Sequence, residues 1–218
     1  MSVWIGGVPR GAGSWRKRVA DGVAPGESTA GRGASALRLG FVLRPRQFVD
    51  LDTLVVATVG GLRDAGLQRR GLPGLDVVLA TKSEGEPTGA ALSWPSPSDL
   101  AAEAVPGPAL LDVVASSLPG PRAEGKRAWR AAIEQAWGGG RTLTGPVWAE
   151  VAIARPGSLL APLEPVLDAL EPVLGRDPRG RPWQEFFPAD DRIVWLRLLR
   201  DGDVRLRLRL GPAAATAV

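Results

Sequence analysis

The chain has no cysteine, no histidine and no tyrosine among its 218 residues. Each absence removes a class of chemistry. Without cysteine there are no disulfides, no thiolate nucleophile and no thiolate metal site. Without histidine there is no Ser-His-Asp or Cys-His catalysis and no His-ligated zinc. Without tyrosine there is no phenolic nucleophile. Catalysis falls to Asp, Glu, Lys, Arg, Ser and Thr, and the metal chemistry that suits this inventory is oxygen-ligated Mg²⁺ or Mn²⁺. Lysine is scarce: Lys17, Lys82 and Lys126 are the only ones, so arginine carries the net charge of +4. The sequence pI is about 10.5. Arginine suits bidentate phosphate contacts and stacking on bases. An Ala/Arg/Gly/Pro-rich composition is equally what a GC-rich genome produces. No run approaches the ~18 apolar residues of a membrane span. Met1 to Gly7 lacks a basic segment leading into an apolar one. The expectation is a soluble, cytoplasmic protein without membrane contact.

What the sequence does contain is an element written twice. Ser14-Trp15-Arg16-Lys17-Arg18-Val19 reads like Ala128-Trp129-Arg130-Ala131-Ala132-Ile133. Arg44-Pro45 and Arg155-Pro156 each close a strand-like run and precede an apolar helical stretch. Both pairs are spaced by about 110 residues, too long for a solenoid repeat and the size of a small domain. The expected fold is α+β, two tandem copies of a small helix-on-sheet unit forming a pseudo-dimer. Residues 1–95 are the first copy, 96–108 a linker, 109–212 the second copy and 213–218 a tail. A monomer would then act as an internal pseudo-dimer.

Each copy reads strand, loop or helix, strand, helix, hairpin. In the first, Leu37 to Leu43 alternates as a half-buried strand. Asp50 to Leu62 has helical spacing, which Gly60-Gly61 weakens. Residues 75–81 and 88–94 read as a hairpin about Ser83-Glu84-Gly85-Glu86-Pro87. The linker carries a short helix over 100–104. In the second copy, Glu124 to Trp137 is amphipathic, with Trp129, Ile133 and Trp137 on one stripe. Val147 to Ile153 is a strand. Residues 158–173 are helical, with Pro162 and Pro165 confining regular helix to the stretch after them. Arg192 to Arg200 and Val204 to Leu210 read as a second hairpin about Asp201-Gly202-Asp203.

Several residues suggest chemistry. Asp50 and Asp52 stand at a strand-to-helix junction, where two carboxylates at i and i+2 can converge on one divalent cation. The same residues suit a helix N-cap and first turn. The first 49 residues hold Arg10, Arg16, Lys17, Arg18, Arg32, Arg38, Arg44 and Arg46 against Asp21 and Glu27. That run is either a phosphate-binding arm or a solvated loop. Arg205, Arg207 and Arg209 share one face of a strand, roughly 7 Å apart, close to a phosphate spacing; a charged sheet face or edge is the alternative. Trp183, Phe186 and Phe187 lie in an Arg/Pro-rich insertion over 175–189 and read as a partner-binding anchor or as a plug on their own domain.

The order strand, Arg-Pro, Asp50-Leu51-Asp52-Thr53-Leu54, apolar helix, strand ending in lysine resembles the RusA-type Holliday-junction resolvases. Leu167-Asp168-Ala169-Leu170 resembles the family's mid-helix segment. Asp190-Asp191 followed by Ile193, Val194 and Leu196 resembles its acidic pair and strand. Gly7-Val8-Pro9 and Leu118-Pro119-Gly120-Pro121 resemble its first loop. The resemblance implies homodimer-like action on branched DNA, with aspartates binding Mg²⁺. Under it the site comprises Asp50, Asp52, Asp190 and Asp191, with Asp50 and Asp52 as metal ligands. From charge and spacing, Arg16, Lys17, Arg18, Lys82, Arg205, Arg207 and Arg209 are the expected nucleic-acid contacts.

The departures from the family pattern bear on activity. Val56 stands where the family has its catalytic lysine. The first copy has no Asp-Asp before its second strand; Asp76 is the nearest acid. The second copy has Ser158 and Leu160, or Ala161 and Leu163, in place of Asp-x-Asp. Neither copy alone holds a complete acidic cluster. The leading expectation is therefore a RusA-like pseudo-dimer with degenerate nuclease motifs that binds nucleic acid, branched or double-stranded DNA included, or serves a larger assembly. The alternatives are an active Mg²⁺-dependent endodeoxyribonuclease, or a protein–protein module with no nucleic-acid role. One arrangement restores a cluster: Asp50 and Asp52 meeting Asp190 or Asp191 across the interface of the copies, although the family builds each site within one subunit.

Overall fold

Alternating and wholly apolar runs in the sequence become strand where their apolar faces can be covered, and here eight runs join one mixed sheet. In the computed structural model they are β1 (Ser2–Gly6), β2 (Ala36–Leu43), β3 (Val77–Glu84), β4 (Gly89–Ser93), β5 (Leu111–Ala115), β6 (Val147–Ile153), β7 (Ile193–Arg200) and β8 (Leu206–Pro212). The structure describes residues 2–8, 12–23, 34–45, 47, 49–66, 74–154, 158–202 and 205–214. Pro9, Arg10, Glu27, Arg32, Arg46, Arg155-Pro156, Asp203, Val204 and tail residues 215–218 lie outside the described residues.

The strand order is β1-β4-β2-β3-β7-β6-β8-β5. β2 with β3 and β6 with β7 are parallel; every other neighbouring pair is antiparallel. Read inward from the two edges, the halves run 1-4-2-3 and 5-8-6-7, the same order of connections. They meet at β3 and β7, where pairing runs from Val77 opposite Leu199 to Thr81 opposite Trp195, with Leu79 opposite Arg197 midway.

All the α-helices but one short one cover one face. α1 (Ala12–Gly22) and α2 (Leu51–Asp64) lie over the first half. α3 (Pro97–Ala102) belongs to the segment between the halves. α4 (Ala123–Trp137), α5 (Leu163–Leu167) and α6 (Glu171–Leu174) lie over the second half. A single apolar layer runs beneath them from Val3, Trp15 and Phe41 to Ile133, Leu163 and Leu208. On the opposite face Leu79, Trp148 and Trp195 form a smaller cluster that Leu100 of α3 covers. α3 starts earlier than its apolar residues suggest, because Ser96 caps it: its Oγ accepts the Asp99 N–H at 3.1 Å, and Pro97 follows directly.

Prolines shape the second half as expected, and more severely. A helix over 158–173 is replaced by α5, a 3₁₀ turn over Asp168–Leu170, and α6. Neither Pro165 nor Pro172 has an N–H to continue the ladder. α4 ends where Gly138 turns left-handed, at φ 62°. The middle of the sheet is buried on both faces. All seven residues of β6 are buried, and its Glu150 accepts hydrogen bonds from Arg197 Nε at 2.7 Å and Arg209 Nη1 at 3.1 Å.

Neither expected hairpin forms. β2 lies between β3 and β4, and β6 lies between β7 and β8. Each connection crosses two inter-strand spacings, about 9.5 Å. The Ser83–Pro87 turn passes over the end of β2, where the Gly85 N–H donates to the Leu43 carbonyl at 2.9 Å. Turn residues specify that the chain reverses, and a third strand can still enter between the arms. No helix among the described residues is long and apolar enough to cross a membrane.

Candidate metal centre

Because β3 and β7 are antiparallel, the end of one adjoins the start of the other. Three chain segments meet at the corner where β3 ends. They are the loop entering α2, the last residues of β3, and the 3₁₀ turn Asp190–Arg192 that leads into β7.

Asp50 occupies the N-cap position of α2 in extended conformation, yet its side chain makes no capping bond. Its carboxylate instead hydrogen-bonds with Asp190. Asp52, in the first turn, accepts backbone N–H bonds from Thr53 and from its own residue. Its Oδ1 is buried and has no hydrogen-bond partner. Asp50, Asp52 and Asp190 each offer a carboxylate oxygen, and these oxygens lie within 4.8 Å of one another. The structure thus unites two acids from the first half with one from the second.

Three carboxyls this close in a half-buried corner cannot all ionise without help. Burial, then the Asp50 and Asp52 charges, pushes Asp190 up to about 9. Burial, with the Asp50 charge adding to it, pushes Asp52 up to about 6 against the backbone N–H bonds it accepts. Burial also raises Asp50, outweighing the nearby cations Lys82 and Arg179. At neutral pH Asp190 therefore holds a proton between itself and Asp50. An orphaned buried oxygen, a proton that a cation would displace and an all-oxygen donor set fit a hard divalent cation such as Mg²⁺ or Mn²⁺.

Lys82, at the end of β3, is buried beneath the cluster. Its Nζ donates to the Val49 carbonyl at 2.9 Å and to the Asp191 carbonyl. Val49 precedes Asp50 and Asp191 follows Asp190, so one ammonium ties together the two loops that carry the acids. Burial lowers its pKa, while Asp191, Asp50, Asp190 and Asp52 oppose the shift.

The cluster opens into a cleft of about 300 Å³. Asp168 lines it, ion-paired to Lys126 of α4. Asp177 and Arg179 line it as an ion pair, and the Arg179 guanidinium also reaches the Asp191 carboxylate at 3.2 Å. Phe186 and Phe187 form an apolar wall, with Lys126 Nζ 5.9 Å from the centre of the Phe186 ring. Lys126, Asp168, Asp177 and Arg179 had no separate signal as site residues. Only the Leu167-Asp168-Ala169-Leu170 motif and the Arg-rich insertion point toward them.

The remaining named residues lie elsewhere. The Asp191 carboxylate faces Arg179, outside the triad. Trp183 is 74% exposed, with Arg181 stacked 5.3 Å from its ring centre. Arg16 binds Asp64 through two hydrogen bonds of 2.6 and 2.7 Å, tying α1 to α2. Arg18 Nη1 donates to the Gly6 carbonyl at 3.3 Å, and Lys17 is exposed beside it. On β8, Arg207 pairs with Asp112 at 2.6 Å and Arg209 with Glu150 at 3.1 Å, while Arg205 is exposed. Acids of β5 and β6 thus balance two of the three ladder charges.

No protein-family profile matches the chain, and no curated protein matches it.

Proposed function

We propose that this chain is a divalent-cation-dependent phosphodiesterase acting on branched or duplex nucleic acid. In this reading it is RusA-like in plan, with one composite site where two related halves meet. The observation that carries it is the convergence of Asp50, Asp52 and Asp190 around the unpartnered, buried Asp52 Oδ1. Each half alone lacks a full acidic cluster, and ligands arriving from both halves would supply one, although Val56 still stands where the family has its lysine. The common strand order of the halves, with Trp15 of α1 and Trp129 of α4 both buried on the sheet, supports reading the chain as a fused dimer.

Asp50, Asp52 and Asp190 would hold the cation. Bound there, Mg²⁺ or Mn²⁺ would polarise a phosphoryl oxygen and lower the pKa of a water in its shell. Lys82 acts as a positioning residue, holding the two acid-bearing loops at a fixed separation. Arg179 lines the cleft, its direction fixed by Asp177 and Asp191, and would meet an incoming phosphate, while Lys126 anchors Asp168 of the cleft wall. Phe186 and Phe187 exclude water from one wall.

The test is cleavage of a four-way DNA junction in Mg²⁺ or Mn²⁺, with binding measured in Ca²⁺. Wild type should cut. Asp52→Asn and Asp190→Asn should bind and cut at least 100-fold more slowly. Lys82→Met should lose about 10–100-fold, as removal of groups that orient metal ligands does. A folded wild-type sample that binds the junction and leaves it whole contradicts the proposal and favours a nucleic-acid-binding subunit. Failure to bind DNA or RNA at moderate salt favours a protein partner at the exposed Trp183.

A further inference from the structure

The β3–β7 pairing has a local two-fold axis through the middle of its register, near Leu79 opposite Arg197. That axis relates two corners of the sheet. One holds the end of β3, the loop into α2 and the turn before β7, with Lys82, Asp50, Asp52 and Asp190. The other holds the end of β7, the end of β6 and the start of β3. There Arg200 pairs with Asp76 at 3.0 Å, and the Arg200 N–H donates to the Asp76 carbonyl at 2.8 Å. The chain leaving β6, residues 154–162, contains no Asp or Glu. Among the described residues the second corner offers Asp76, held by Arg200, and Asp201, whose N–H donates to the Ile153 carbonyl at 3.3 Å, where the first corner brings three carboxylates together. Among the described residues, Asp50, Asp52 and Asp190 form the one acidic cluster fit for a cation.

We infer that the chain is a nicking enzyme: it binds a two-fold substrate with both halves and hydrolyses one phosphodiester per encounter. This rests on the proposed phosphodiesterase reading and specifies its product. The step consumes one water. Its oxygen bonds to phosphorus, one P–O ester bond breaks, and the departing sugar oxygen takes up a proton. The products are one phosphomonoester and one hydroxyl. The second corner, with its Arg200–Asp76 pair, serves as a docking surface that keeps the partner strand intact.

A negatively supercoiled plasmid carrying an inverted repeat reads this directly. One nick releases the supercoiling and reabsorbs the extruded cruciform, so a one-cut enzyme stops at open circle. Open circle should accumulate, with linear DNA appearing late and in proportion to enzyme concentration. Linear product formed without an open-circle intermediate would overturn the inference and leave the phosphodiesterase reading standing. An uncut plasmid in Mg²⁺ and Mn²⁺ would overturn both. Mn²⁺ binding to the protein alone gives an independent count. One ion per chain, lost in Asp52→Asn and retained in Asp76→Asn, is expected. Two equivalent ions, or loss of the ion in Asp76→Asn, would overturn the single-corner assignment.

Discussion

Asp190 is the residue on which the local chemistry turns. Its folded carboxyl is pushed up to about 9 from a usual 3.8. A carboxyl raised on folding favours the folded state while protonated, so its contribution is complete below about 4 and is lost as pH rises to about 9. Asp52, raised to about 6, adds to the loss at the acidic end of that window. The metal-free protein should therefore lose thermal stability steadily between pH 5 and pH 9. Asp190→Asn should flatten that slope and raise the melting temperature at pH 8 by several degrees. Melting curves across pH check this, and an unchanged slope in Asp190→Asn would contradict the assignment. Sequence position alone identifies Asp50, Asp52 and the Asp190-Asp191 pair as acids worth weighing. It does not reveal that Asp190 joins the first two while Asp191 turns to Arg179. That separation depends on a 3₁₀ turn placed by the long-range pairing of β7 with β3.

At the scale of elements, the crossing of α1 over α2 shows how closely backbones meet in this fold. A Cβ on Gly61 would lie 2.5 Å from the Arg16 carbonyl oxygen and 2.6 Å from Val19 Cβ. A Cβ on Gly60 would lie 3.2 Å from the movable end of the Arg16 side chain. Gly61→Ala should destabilise by about 1–3 kcal/mol or more, because backbone must shift. Gly60→Ala should be neutral or stabilise by up to about 1 kcal/mol through helix propensity. Urea unfolding of the two variants distinguishes them, and equal effects would contradict the close crossing. In sequence, Gly60-Gly61 reads as a weak place in a helix; in the structure Gly61 makes the helix pair possible. The same limit governs the strands. Local alternation marks β2, β6 and β8 well, because burial on one or both faces is written in each run. The partners are not local, so β2 and β6 enter between the arms of two apparent hairpins.

At the scale of the whole molecule, the two halves share one sheet, one apolar layer and one carboxylate corner. A cation held by acids from both halves binds only when β3 and β7 are paired, so its binding free energy adds to global stability. At a concentration 100 times its Kd, a ligand specific for the folded state contributes about 2.7 kcal/mol. For a chain of this length that corresponds to about 5–10 °C in melting temperature. The decisive measurement is the melting temperature at pH 7.5 with and without saturating Mn²⁺, for wild type and Asp190→Asn. A rise of this size in wild type and none in Asp190→Asn is the predicted result. No rise in wild type, or an equal rise in both proteins, would contradict a composite cation site.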